Sequence, residues 1–205
     1  MGCAISKTNS SPDKNLNIGK NKLASEVSEC KFVFLGDSAV GKSSIFQRFC
    51  KNNFTGEHEV TIGVAYMQQK IQLKNGNYLK MHLWDTGGEE RFRGMAPLYY
   101  RDTNVAVLVY DVTNRSTFDS IKYWMNELDS KIKQDGIIIA MVGNKCDLPD
   151  GDKQVNTITG KKFAEDNKIF FAETSAKTGE GVNNLFELLS EEIAKKMSAS
   201  KGIKR

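Results

Sequence analysis

An α/β fold built on a doubly wound, mostly parallel six-stranded sheet is predicted by three features of this chain. Continuous apolar runs suit strands buried on both faces, and stretches of helical period lie between and after them. A glycine-rich loop joins the first run to the first helical stretch. Phe32-Val33-Phe34-Leu35 is that first run, and the stretch after the loop sets Ile45, Phe46, Phe49 and Cys50 at helical spacing. An irregular polar segment covers 52–61. Two strand-like runs then flank Asn75-Gly76, a short-range hairpin signal that predicts one antiparallel strand at the sheet edge. In the second run Leu79, Met81 and Leu83 alternate with Tyr78, Lys80, His82 and Trp84, so the two sets face opposite ways. Val105-Ala106-Val107-Leu108-Val109 and the run 137–142 are further buried strands, and Ile169-Phe170-Phe171 is a weaker last one. Two helical stripes complete the set: Phe118, Ile121, Trp124, Met125, Leu128 and Ile132, then Val182, Leu185, Phe186, Leu189, Ile193 and Met197. Both stripes read as core.

The 205 residues suit one domain with two tails: a flexible tether over 1–29, a domain over 30–197 and a short basic tail over 198–205. With 40% hydrophobic residues the chain can fill one sizeable core. Its formal charge of +4 is spread along the sequence, which excludes a nucleic-acid partner. No apolar run in the domain is long enough to span a bilayer. Cys3, Cys30, Cys50 and Cys146 lack metal-ligand spacing and fit a reducing compartment, and His58 and His82 stand alone.

The loop itself reads Gly36-Asp37-Ser38-Ala39-Val40-Gly41-Lys42-Ser43, a Gly-x-x-x-x-Gly-Lys-Ser pattern between a strand and a helix. Such a loop turns its backbone N–H groups toward a β-phosphate at a helix N-terminus. Ser38, Ala39, Val40, Gly41 and Ser44 form the cradle, Lys42 bridges β- and γ-phosphates, and the Ser43 hydroxyl ligates Mg²⁺. Ligands of such sheets bind beyond the carboxyl ends of the strands. There Trp84-Asp85-Thr86-Gly87-Gly88 supplies Asp85 to hold Mg²⁺ through water and the Gly88 N–H for a γ-phosphate. Thr61, in the polar segment, reaches toward the same ion. Asn144-Lys145-Cys146-Asp147 and Ser175-Ala176-Lys177 follow the last two strands. Asp147 can accept from both the N1–H and the 2-amino group of guanine, which adenine does not offer. Lys145 covers the ring, and the Ala176 N–H meets the base oxygen. GTP or GDP is the ligand these positions predict.

These four elements, in this order, make residues 31–197 resemble the Ras-like small GTPases, nearest the Rab branch. Ile62-Gly63-Val64-Ala65-Tyr66, Arg91-Phe92-Arg93, Leu98-Tyr99-Tyr100-Arg101 and Leu108-Val109-Tyr110-Asp111-Val112-Thr113 resemble Rab signature segments. Ala65 and Met95-Ala96-Pro97-Leu98-Tyr99-Tyr100 are similar to the early-endosomal subgroup. The resemblance implies a monomeric, Mg²⁺-dependent GTP/GDP switch in vesicular trafficking. Its loops, near 54–64 and 86–101, order around the γ-phosphate. It implies that Phe54 packs on guanine and that Tyr66, Trp84 and Tyr99 are read by effectors. An exchange factor and a GTPase-activating protein are the other expected partners.

Two positions depart from the Rab pattern. The sequence closes on Lys201-Gly202-Ile203-Lys204-Arg205 without prenylatable cysteines, whereas Met1-Gly2-Cys3-Ala4-Ile5-Ser6 fits an acylation signal. Gly2 is then the myristoylation site and Cys3 a palmitoylation site. One chain alone binds membranes with K on the order of 10⁴ M⁻¹, so the second anchor matters. Lys7, Lys14, Lys20 and Lys22 against Asp13 add attraction to anionic lipid. This resembles N-terminally acylated endosomal Rabs and implies residence on the cytoplasmic face of endosomal, vacuolar or plasma membranes. The second departure is Asp85-Thr86-Gly87-Gly88-Glu89, where the family carries Asp-Thr-Ala-Gly-Gln. An ionised Glu89 only accepts hydrogen bonds, whereas Gln also donates. Its charge opposes the γ-phosphate yet polarises the attacking water, so the rate can move either way. Two classes of function therefore stand: a hydrolysing switch that uses Lys42 and Glu89, or a GTP-locked membrane scaffold. An Arf-like GTPase and a phosphate-loop kinase fit the motifs less well.

Overall fold

The computed structural model describes residues 26–56, 61–88, 97–131 and 136–202. Gly2, Cys3, His58, Glu89, Arg91-Phe92-Arg93 and Ile132 lie outside the described residues. Six strands form one sheet: β1 (Val27–Leu35), β2 (Val64–Gln72), β3 (Tyr78–Thr86), β4 (Val105–Asp111), β5 (Ile138–Asn144) and β6 (Phe170–Thr174). Their spatial order is β2-β3-β1-β4-β5-β6. Only the β2–β3 pair is antiparallel, and β1 lies between β3 and β4 with both pairings parallel. The expected fold class, with its hairpin strand at one edge, is the one observed.

Helices cover both faces: α1 (Lys42–Lys51), α2 (Pro97–Tyr100), α3 (Arg115–Asp119), α4 (Ile121–Lys131), α5 (Thr157–Asp166) and α6 (Val182–Gly202). The alternation read in the second hairpin run holds in β3, where Leu79, Met81 and Leu83 are buried and Tyr78, Lys80, His82 and Trp84 only partly so. Phe32 and Phe34 join Leu79, Met81 and Leu83 under α1 and α6, while Val33 and Leu35 face Phe118, Ile121, Trp124 and Leu128. Aromatic packing locks the first layer. Phe34 meets Phe46 edge-on at 6.1 Å, and Phe49 stacks on Phe186 at 3.6 Å. Truncating one of these buried rings to Ala costs about 3–5 kcal/mol. The same layer hangs α1, and with it the end of the glycine-rich loop, on the sheet.

Three elements differ from the sequence expectation. The stripe from Phe118 to Leu128 is not one helix but two, broken at Ser120 between α3 and α4. Asn114 accepts from the Ser116 N–H and starts α3, a cap that restarts the chain's direction there. Helix α5 is new: only Gly160 and Ala164 are buried in it, and Ile158 is 79% exposed, so its apolar period is faint. The parallel β5–β6 pairing nevertheless requires such a crossover. Helix α6 runs through Gly202, into the stretch read as a basic tail. Its last turns flank the start of β1. Glu26, Val27, Asn104, Ile193 and Met197 line a cavity of about 700 Å³ there, at the amino ends of the parallel strands.

Candidate functional site

The loops that follow β1, β3, β5 and β6 meet at the carboxyl edge of the sheet. Around α1 they enclose a cavity of about 380 Å³ whose lining includes Ser38, Ala39, Gly41, Lys42, Ser43, Ser44, Phe54, Thr61 and Gly88. Helix α1 starts at Gly41 with no side-chain cap and no acidic residue in its first turn. Its free N–H groups and positive dipole end therefore favour an anion. Gly41 has φ 96°, and a Cβ there would strike the Asn144 amide. Gly88 lies so close to Lys42 Nζ and the Asp37 carbonyl that any side chain would displace them.

Two charged groups are buried at the floor. Lys42 is 5% exposed and its ammonium donates to the Gly36 carbonyl at 2.9 Å and the Asp37 carbonyl at 2.7 Å. Burial pulls it down to about 8, with Asp85 and Asp37 opposing. Asp85 is 1% exposed, and burial pushes its carboxyl up to about 6 against the Ser43 hydroxyl and Lys42. Its Oδ1 finds no hydrogen-bond partner among the described residues. Beside it the Ser43 and Thr61 hydroxyls lie 2.6 Å apart. An orphan carboxylate oxygen next to two hydroxyls is a hard oxygen donor set, which suits Mg²⁺.

A second cavity of about 200 Å³ shares Ala39, Gly41, Ser44 and Phe54 with the first, and adds Asn144, Lys145, Asp147, Ala176 and Lys177. Here the polar groups are paired. Asn144 is 2% exposed and ties three segments through one amide. Its Nδ2 donates to the Val40 carbonyl at 2.9 Å, and its Oδ1 accepts from Thr174 Oγ1 and the Ala176 N–H, each at 3.2 Å. Ser175, fully buried, donates to Asp147 Oδ1 at 2.6 Å and fixes that carboxylate's plane. Lys177 Nζ lies 3.9 Å from Asp147 Oδ2, and Lys145 pairs with Asp111. Val40 is wholly buried, and its carbonyl accepts from the Asn144 amide. The Ala176 N–H, expected to meet a base oxygen, instead donates to Asn144.

Sequence reasoning missed Arg48. Its Nε donates to the Ala176 carbonyl at 2.8 Å and Nη2 to the Lys177 carbonyl at 2.7 Å, so α1 holds the loop after β6 directly. A basic residue in a helix's last turn carries no such signal. Asp111 was likewise missed; its position at the carboxyl end of β4, level with Asn144, was the available hint.

The aromatic residues expected to meet effectors form one contiguous group on the outer face of β2 and β3. The Tyr66 and Trp84 rings are 5.0 Å apart, and Trp84 and Tyr99 are 6.1 Å apart. Tyr66 is 44% exposed, whereas Trp84 and Tyr99 are half-buried against the second core layer.

With this geometry in view, residues 31–195 match the model of the Ras family. The chain is 46% identical over 198 residues to Ras-related protein Rab-5B of Plasmodium falciparum, covering 94% of each chain. It is 41% identical over 163 residues to the GTP-binding protein ypt5 of Schizosaccharomyces pombe, covering 80% of this chain and 77% of the relative. Similarity to GTP-binding protein YPT52 of Saccharomyces cerevisiae is 39% over 189 residues, with 80% and 81% covered. Among the described residues no helix is long and apolar enough to cross a membrane.

Proposed function

Since the chain belongs to the Ras family, and within it to the Rab proteins, we propose that it is a membrane-anchored GTP/GDP switch of endosomal trafficking that hydrolyses GTP. The observation carrying this reading is the pair of joined cavities. One ends in a buried lysine beside an orphan carboxylate, the other in the oriented carboxylate of Asp147. The first suits a polyphosphate, the second a purine with two adjacent donors, and Phe54 lines both.

In this reading the N–H groups of the loop 38–44 and Lys42 hold the β- and γ-phosphates, and the Gly88 N–H meets the γ-phosphate. Asp147 accepts from the guanine N1–H and 2-amino group, with Ser175 holding its plane and Asn144 the loop walls. Lys145 and Lys177 flank the base. Ser43, Thr61 and Asp85 would hold Mg²⁺, which when bound neutralises charge on the phosphate oxygens. Lys42 stabilises charge that develops on the leaving β-γ oxygen, and Glu89 orients the attacking water. GTP plus water gives GDP and inorganic phosphate.

Output is through partners: an exchange factor, a GTPase-activating protein and effectors that read Tyr66, Trp84 and Tyr99. Acyl chains on Gly2 and Cys3 hold the protein to the cytoplasmic face of endosomal, vacuolar or plasma membranes. Glu89 in place of Gln favours one alternative, a GTP-locked scaffold that rarely hydrolyses.

Three measurements test the proposal. Purified protein should bind guanosine diphosphate at least a hundredfold more tightly than adenosine diphosphate; equal affinities reject it. Single-turnover hydrolysis by the parent and Glu89→Gln separates switch from scaffold. Gly2→Ala and Cys3→Ser should each release the intact chain into the soluble fraction.

A further inference from the structure

Beyond the exposed rings, the same sheet face continues as a run of polar contacts across three strands. Tyr66 Oη lies 2.7 Å from His82 Nδ1, and His82 Nε2 lies 2.9 Å from Glu29 Oε2. Lys80 Nζ reaches Glu29 Oε1 at 3.3 Å, and the Gln68 amide donates to Tyr66 Oη. Register explains the grouping. Gln68 and Lys31 flank His82 on the neighbouring strands, and Glu29 pairs with Lys80.

Donor and acceptor capacity decides where each proton sits. Hydrogen bonds from His82 and Lys80 hold the Glu29 carboxyl below its ordinary range, so it is ionised and can only accept. The proton between Glu29 and His82 therefore belongs to Nε2. A neutral imidazole protonated there has a bare Nδ1, which can only accept. Tyr66 must then donate its single hydroxyl proton inward to His82. Its oxygen takes the Gln68 amide on one side and keeps one further lone pair, on a residue 44% exposed.

We propose that His82, its tautomer fixed by Glu29, is a positioning residue that presents the Tyr66 oxygen as an outward hydrogen-bond acceptor for a partner protein. That partner lays an apolar side chain on the Tyr66 and Trp84 rings and gives the oxygen a neutral N–H or O–H. The charge around the rings sets the neutral donor. Lys31 sits 5.0 Å over the Trp84 ring, Lys70 sits 4.1 Å over Tyr78, and Lys80 flanks Glu29. Lys31, over the Trp84 ring, disfavours an Arg or Lys donor beside it and suits a partner with an acidic rim. This inference rests on the reading of Tyr66, Trp84 and Tyr99 as a partner surface, and it names what that surface selects.

Two measurements on the full chain, loaded with Mg²⁺ and a non-hydrolysable GTP analogue, test it. Imidazole ¹⁵N spectra at pH 7.5 should show His82 protonated at Nε2 and bare at Nδ1, and Tyr66→Phe should shift the Nδ1 signal. A proton on Nδ1, or a signal indifferent to Tyr66→Phe, overturns the proposal. The second probe is a protein domain isolated by its GTP-dependent binding to the full chain. Tyr66→Ala removes the ring and should abolish that binding. Tyr66→Phe and His82→Leu remove only the presented oxygen or its support, and should weaken it about threefold to tenfold. Undiminished binding by Tyr66→Ala rejects the partner surface itself. Loss with Tyr66→Ala alongside parental affinity for Tyr66→Phe rejects only the acceptor.

Discussion

The two halves of the nucleotide site solve opposite problems with similar burial. At the phosphate half Lys42 and Asp85 are dehydrated charges, Lys42 donating to two neutral carbonyls and Asp85 Oδ1 finding no partner among the described residues. At the base half Ser175 donates to Asp147, and Asn144 is satisfied by Val40, Thr174 and Ala176, before any ligand arrives. The first half stores an electrostatic cost that a polyphosphate and its metal remove. The second spends its hydrogen bonds on shape, so that base selection needs little reorganisation. Ligand binding should therefore stabilise the fold mainly through the phosphate half.

The sharpest way to break this contrast is Lys42→Ala. It removes the ammonium buried at the cavity floor, and affinity for GTP should fall about a thousandfold, as two charge-assisted hydrogen bonds are worth about 3–6 kcal/mol together. Nucleotide titration checks it; a loss under tenfold would place the binding energy in the backbone cradle instead.

Asp85→Asn should do the reverse to the empty chain. The Asp85 carboxyl is raised to about 6, against an ordinary value of 3.8, so the folded state holds its proton more tightly than the unfolded one. The folded chain is therefore favoured below pH 4, and that advantage drains away as pH rises to about 6. Above that, an ionised Asp85 costs about 3 kcal/mol. Stripped of metal and nucleotide, Asp85→Asn should be more stable than the parent at pH 7.5 by about that much, and equal to it near pH 3.5. Denaturant titration at both pH values measures the difference. Adding Mg²⁺ and GDP should reverse the ranking.

Asp147→Ala tests the base half. Guanine preference should drop about a hundredfold, because the 2-amino group loses its acceptor, while the buried Ser175 hydroxyl also loses the oxygen it donates to. Competition between guanosine and adenosine diphosphates reads this out. The smallest effect is expected from Arg48→Ala, which cuts the link from α1 to the loop after β6. About 1–2 kcal/mol of stability should go, with faster release of GDP and no change in base preference.

Much of this was legible in the residues. Strand period and the loop pattern located the sheet and the loops at its carboxyl edge, because glycine spacing and buried runs are local signals. Arg48 and the Asn144 amide network were not legible as a bracing system, since their partners lie more than 100 residues away or across three loops. Helix α5 escaped because its buried face is made of Gly160 and Ala164, which leave almost no hydrophobic period. The break at Ser120 escaped because that residue keeps near-helical angles, φ −67° and ψ −15°, and the apolar stripe runs on past it. The relay from Glu29 to Tyr66 also depended on register between strands.

The cavity beneath the last turns of α6 carries a geometric consequence. Strand β1 starts there and runs nine residues, about 30 Å, to the phosphate cradle. Both the entry to the domain and the close of its final helix thus sit at one pole, with the nucleotide at the other. A lipid leash spliced to either end would dock the same pole toward the bilayer and leave the opposite one to the cytosol. Relocating an anchor between termini would then preserve the orientation in which exchange factors and effectors meet the molecule.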